Sequence, residues 1–90
     1  MADQDHLNEL ISLFARLKGR EEAELFVRDI LTPHELEQVA ERWQIVKRLH
    51  QGMPQRKVKD ELGISIEKVT RGSKQLQENN GGFQLFLEKD

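Results

Sequence analysis

Cysteine is absent from this 90-residue chain, and proline occurs only twice. Without thiols there is no disulfide framework and no thiolate chemistry, which fits a reducing compartment, and a cytoplasmic location is expected. Nowhere do about 18 apolar residues run together, so no segment reads as a bilayer-spanning helix and no membrane partner is expected. The opening MADQDHLNEL is acidic and holds no signal-peptide core. Internal repeats, low-complexity tracts and the alternating pattern of strands are missing as well. No glycine-rich phosphate loop occurs, and the stretch RGS is too short to be one. The histidines His6, His34 and His50 are scattered, and HELEQ lacks the second histidine of a zinc-protease helix. These absences argue against an enzyme, a catalytic cofactor and a metal.

What is present is a helix-leaning, charged composition. Apolar residues make up 37% and charged residues 33%, which excludes both a disordered chain and a membrane-embedded one. Ninety residues make one domain close to the lower limit for a self-sufficient core. The formal net charge of −2 hides an asymmetry along the chain. Residues 1–41 carry 4 basic and 10 acidic side chains, whereas residues 42–74 carry 9 basic and 3 acidic ones. A basic segment set in an acidic remainder suits a protein that meets phosphates with one face only. A solvated helical face has the same pattern.

Apolar spacing points to helices throughout. Leu7, Leu10, Ile11, Phe14 and Leu17 form an amphipathic stripe that stops at Gly19. A second helix, about 21–30, is expected to bury Ala23, Phe26, Val27 and Ile30. Thr32 then reads as an N-cap, Pro33 as the first helical residue and Glu35 as the return arm of a capping box. The long helix opened there places Leu36, Val39, Ala40, Trp43, Val46 and His50 on one stripe, and Gly52 ends it. Trp43 is expected in a core or an interface. Pro54 begins a short helix through Leu62, Gly63 makes a turn, and Ser65 caps a helix to about Gln77. The run NNGG breaks the chain before a last short helix in FQLFLE. The expected fold is all-α, a single domain with helices over 7–52, a helix-turn-helix over 54–77 and a C-terminal helix over 83–89.

QRKVKDEL, the turn GIS and IEKVTRGSKQL have the lengths and the glycine turn of a helix-turn-helix. Val58, Leu62, Ile64, Ile66 and Val69 would fix the angle between its helices. The N-terminal part of the second helix would enter the major groove of double-stranded DNA, with Ile66, Glu67, Lys68, Thr70 and Arg71 in front. Arg56, Lys57 and Lys59 on the first helix would lie near the backbone or groove edge. Gly72 interrupts the second helix on its inward face, at a cost of roughly 1 kcal/mol relative to alanine. Close packing of helices explains such a glycine. So does a slot for a ligand, because Arg71 adjoins it and Arg42 stands on the long helix that should pack there. Two guanidinium planes could hold a flat aromatic ring and pair with a carboxylate. Thr32 adds a hydroxyl and free backbone N–H groups for an anion. Together these suit an aromatic amino acid.

LTPHELEQVAERWQIVKRL followed by QRKVKDELGISIEKVTRGS resembles the tryptophan repressor family over about residues 31–76. The resemblance implies an intertwined, six-helix homodimer that binds L-tryptophan as corepressor and then a palindromic operator. It implies that Arg42 and Arg71 sandwich the indole, that Gly72 gives it room, and that Arg71 with Thr32 holds the carboxylate. Leu31 and Asp29 would offer backbone carbonyls to the ammonium group. Arg56 would contact a base edge, and Gln55, Lys59, Ile66, Lys68 and Thr70 would touch phosphate or reach bases through water. The final helix, FQLFL, would join the dimer interface.

Three positions depart from that pattern. Gln75 stands where the family has a small hydroxyl near the ligand's ammonium group. Glu67 replaces a small DNA-facing residue, and either repels phosphate or reads a cytosine. The connection GMPQR is one residue shorter. Two other readings remain open: a DNA-binding regulator of the same fold that does not use tryptophan, and an interaction module whose basic face meets an acidic protein.

Overall fold

All regular structure among the described residues, 2–87, is helical in this computed structural model. The six helices are α1 (Ala2–Ala15), α2 (Gly19–Ile30), α3 (Pro33–His50), α4 (Gln55–Leu62), α5 (Ile66–Gln77) and α6 (Gln84–Leu87). Residues 88 and 89 of the expected last helix lie outside the described residues. No helix among those described is long and apolar enough to cross a membrane. The chain divides into two compact units, Met1–Leu36 and Glu37–Asp90.

In the first unit, α1 begins well before the apolar stripe, because Asp3 and Asp5 place negative charge in its first turn. Its end tightens through bonds from the Arg16 N–H to the Leu13 carbonyl and from the Leu17 N–H to the Phe14 carbonyl. α2 starts two residues earlier than expected, with the Glu22 carboxylate accepting from the Lys18 N–H at 2.9 Å. Phe14 and Phe26 meet edge-to-face with ring centroids 5.2 Å apart. The expectation that α2 buries its apolar face is corrected. Ala23, Phe26 and Val27 are only half-buried, Ile30 is exposed, and α2 has no buried residue. Leu7, Ile11 and Phe14 on α1 are exposed as well.

The capping box forms as the sequence predicts. The Thr32 N–H donates to Glu35 Oε1 at 2.9 Å, and the Glu35 N–H donates to Thr32 Oγ1 at 3.1 Å. Both groups are thereby used within the first turn of α3, and Pro33 has no N–H to offer. Thr32 therefore does not present the free backbone N–H groups expected for an anion; of its turn, His34 alone retains one outside the box. The bond from the Thr32 N–H, then that from its hydroxyl side chain, holds the Glu35 carboxyl below its ordinary range.

In the second unit, Ile45, Val58 and Val69 form the core where α3, α4 and α5 meet, flanked by Leu49, Met53, Leu62 and Ile64. Ile45 was not on the stripe read from α3. That helix buries the adjacent pair Ile45 and Val46, while Val39, Ala40 and His50 are exposed. A helix packed on two sides needs a wider apolar arc than one stripe supplies. Ile66 is also corrected: it is 38% exposed and stands outside the helix-turn-helix core.

Gly63 ends α4 with φ +66 and ψ 38, a left-handed conformation open to glycine at no steric cost. Its N–H and that of Ile64 both bond the Lys59 carbonyl. Ser65 then caps α5, its hydroxyl accepting from the Lys68 N–H at 3.3 Å. Arg48 on α3 bonds Glu61 on α4 at 2.7 Å and fixes the approach of the short helix. Near the middle of α3, Trp43 packs on Phe83 and Phe86, with centroids 6.5 and 6.2 Å away.

Thr32→Ala should destabilise the protein by about 1 kcal/mol in urea unfolding at neutral pH. Glu35 has a lowered folded-state pKa, so its contribution is complete above the ordinary glutamate range and is lost as acid carries the pH down through the lowered value. The difference between Glu35→Ala and the parent protein should therefore narrow on acidification in the same assay.

Candidate functional site

Two helices and one close contact build the site. On α5, Val69 and Gly72 face inward and are buried. On α3, the side chain of Ile45 enters the space that a side chain at position 72 would take. A Cβ built on Gly72 would lie 2.6 Å from Ile45 Cγ2, well inside van der Waals contact. The vacancy expected over Gly72 is therefore filled. The glycine lets α5 approach a β-branched side chain, and this is the physical reason for its place in the helix.

Beside that contact lies a groove of about 150 Å³ whose walls come from α3 and α5. Arg42, one turn before Ile45, borders it from α3; Arg71, Gly72 and Gln75 border it from α5. Four of the seven residues expected around a ligand thus line one groove. The other three, Asp29, Leu31 and Thr32, belong to the first unit and are described with it. Arg42 and Arg71 are both exposed, leaving their guanidinium groups free to swing over a small guest. Gln38 and Glu41 also line the groove and were not expected there. Glu41 takes the Lys68 ammonium at 3.0 Å, so Lys68 is part of the groove wall rather than an arm extended outward. Nothing in the sequence marks that pair, since its members are 27 residues apart. Ile45 had one usable signal: a glycine inside α5 implies a neighbouring side chain that reaches the backbone.

A second, larger cleft of about 1100 Å³ adjoins the groove, lined by Val39, Trp43, Phe83 and Phe86 and sharing Arg42 and Gln75. Trp43, Phe83 and Phe86 give it an aromatic wall, Glu78, Asn79 and Asn80 add polar groups, and Phe86 remains 63% exposed.

The side chains expected to meet DNA are disposed on α4 and the first turns of α5. Gln55, Arg56, Glu67, Lys68 and Thr70 are exposed, as is Ile66, while Lys59 is half-buried and paired with Asp60 at 3.2 Å. The Thr70 hydroxyl donates to Gln55 Oε1 at 3.3 Å, tying the outward sides of α4 and α5 together. Two helices joined by a three-residue turn, with basic and amide side chains on one exposed side, can lie against a duplex. Phosphate contacts would come from the cations, and base contacts from the first turns of α5.

A family model described as Trp repressor protein matches residues 5–90. A Trp operon repressor homolog of Xylella fastidiosa is 33% identical over 90 residues, covering 99% of this chain and 96% of that protein. One from Chlamydia trachomatis is 33% identical over 82 residues, covering 86% and 87%. The uncharacterized protein YerC of Bacillus subtilis is 26% identical over 83 residues, covering 92% and 80%. No solved structure matches the chain.

The Ile45–Gly72 contact generates a coupled prediction. Gly72→Ala overpacks the α3–α5 junction by about 1–3 kcal/mol, against a helix-propensity gain of about 1 kcal/mol. A net loss of about 1 kcal/mol is expected in urea unfolding. In an Ile45→Ala background the obstructing methyl is gone, and the same Gly72→Ala change should become neutral or stabilising.

Proposed function

The chain belongs to the Trp repressor family, and on that premise we propose that it is a DNA-binding transcriptional repressor whose operator affinity is raised by L-tryptophan. The observation that carries the ligand is the pair Arg42 and Arg71, set on two different helices around one small groove. A guanidinium plane stacks on an aromatic ring and also forms bidentate bonds with a carboxylate. Two of them at one groove match a ligand with an indole at one end and a carboxylate at the other. In this reading the ring lies beside Ile45 rather than over Gly72, and the Gln75 amide faces the ammonium group. The family resemblance adds Thr32, Leu31 and Asp29 as further ligand contacts, and that part rests on the resemblance alone.

The groove wall is also the inward side of the recognition helix, α5. A ligand seated there favours one setting of α5 against α3 and so biases the presentation of Ile66, Glu67 and Thr70 to DNA. Gln55, Arg56 and Lys59 on α4 would contact phosphates or a base edge. Coupling of this kind is reciprocal, so operator DNA should tighten tryptophan binding by the same factor. A homodimer on a palindromic site completes the mechanism, with two copies of α5 in successive major grooves roughly 34 Å apart. The exposed Leu7, Ile11, Phe14, Leu85 and Phe86 support assembly, because one chain leaves more apolar surface uncovered than a small monomer carries without a partner.

A second reading is favoured by the Ile45 contact. Gly72 is already accounted for by packing, so a regulator of this family that binds DNA without tryptophan has the same sequence and the same α3–α5 junction. Isothermal titration separates the two. The first reading expects saturable L-tryptophan binding at one site per chain, abolished in Arg71→Ala with its helical circular dichroism intact. Absence of binding up to millimolar tryptophan, with tight operator binding retained, would establish the second.

A further inference from the structure

The first turn of α5 carries two adjacent charges of opposite sign, Glu67 and Lys68, and the fold treats them differently. Val69 is fully buried and marks the inward side of the helix. At about 100° per residue, Glu67 lies roughly 200° from Val69 and so points away from the core. Lys68, the next residue, turns toward α3 and gives its ammonium group to Glu41 at 3.0 Å. Glu67 is exposed and has no hydrogen-bond or ion-pair partner among the described residues. Lys68 is paired with Glu41 and so does not neutralise its neighbour Glu67. Thr70, the neighbour of Glu67 on the same side, is tied to Gln55 at 3.3 Å. The outward centre of the first turn is left to a single unpartnered carboxylate.

Resting on the reading of this chain as a DNA-binding protein, we propose that Glu67 is a base-reading residue that selects a cytosine in each half-site. A carboxylate only accepts hydrogen bonds. The major-groove edges of guanine and thymine meet it with acceptors, and adenine sets its N7 acceptor beside its amine. Cytosine alone presents an amine without an adjacent acceptor. The position suits this task, since side chains in the first turn of a recognition helix reach base edges. The positive end of the helix dipole favours a negative side chain there even without Lys68. Glu41 contributes indirectly: by holding Lys68 against α3, it keeps a competing cation away from the edge that Glu67 would read.

The test is selection of duplexes from a randomised library by the full chain, with and without millimolar L-tryptophan, followed by competition binding. The wild-type protein should restrict one position per half-site to cytosine, by about 5- to 150-fold over other bases. Glu67→Gln should move that preference to adenine, whose N6 and N7 suit an amide. Glu67→Ala should lose the preference there and keep it at every other position. Glu67 is exposed, and circular dichroism confirms that the variants keep their helices. If Glu67→Ala retains every base preference and binds all duplexes tighter by one common factor, Glu67 only repels phosphate and the proposal is overturned. If the folded wild-type protein selects no sequence under either condition, the DNA-binding reading falls and takes the proposal with it.

Discussion

The seating of α5 against α3 depends on one contact, the Ile45 side chain against the backbone of Gly72. A β-branched side chain has little freedom to move aside, so the partner helix must lack a Cβ at that point. Glycine in a helix interior is unfavourable, and the packing it permits offsets that cost. Val58 and Val69 close around the same isoleucine, so the core of the helix-turn-helix and its attachment to α3 are one cluster. Arg42 stands one turn before Ile45, and Arg71 immediately precedes Gly72. The two guanidinium groups therefore project from either side of a fixed junction, and the width of the groove follows from the packing beside it.

Charge is organised around that junction as well. Lys68 faces α3 and pairs with Glu41, which makes the first turn of α5 part of the groove wall. The same turn carries Glu67 outward. An ion pair this exposed contributes about 0–1 kcal/mol, so its importance lies in where it places the lysine rather than in stability. In the proposed mechanism, a ligand entering the groove meets a wall whose opposite side reads DNA. No longer path is needed between the two sites, because both belong to one helix.

The apolar surface points in a different direction. Few side chains in the Glu37–Asp90 unit are wholly buried, and the Met1–Leu36 unit has none among its described side chains. Aromatic residues instead cluster along the open cleft by Trp43, with Phe86 largely exposed. In the proposed homodimer, association would remove more of this apolar surface from water. In that dimer assembly and recognition would be linked, since Arg42 and Gln75 border both the cleft and the groove proposed for the ligand.

The helices, their caps and the turn between α4 and α5 were legible in the sequence because their causes are local. Thr32 and Glu35 form a capping box within one turn, Gly63 adopts a conformation that other residues avoid, and Ser65 bonds an N–H three residues on. The apolar period located α3 and α5 but misjudged which residues they bury, since a helix held on two sides hides neighbours such as Ile45 and Val46. Arg42, Arg71, Gly72 and Gln75 could be grouped from the sequence by their family pattern. What fills the space at Gly72, and which carboxylate takes Lys68, could not, because those pairs lie 27 residues apart and meet only when α5 docks on α3. The sequence by itself determined which segments are helical and where the capped ones, α3 and α5, begin. The tertiary structure decided which side chain occupies the space left by a missing Cβ and which charge remains unpaired, because both depend on distances between helices that no local preference sets.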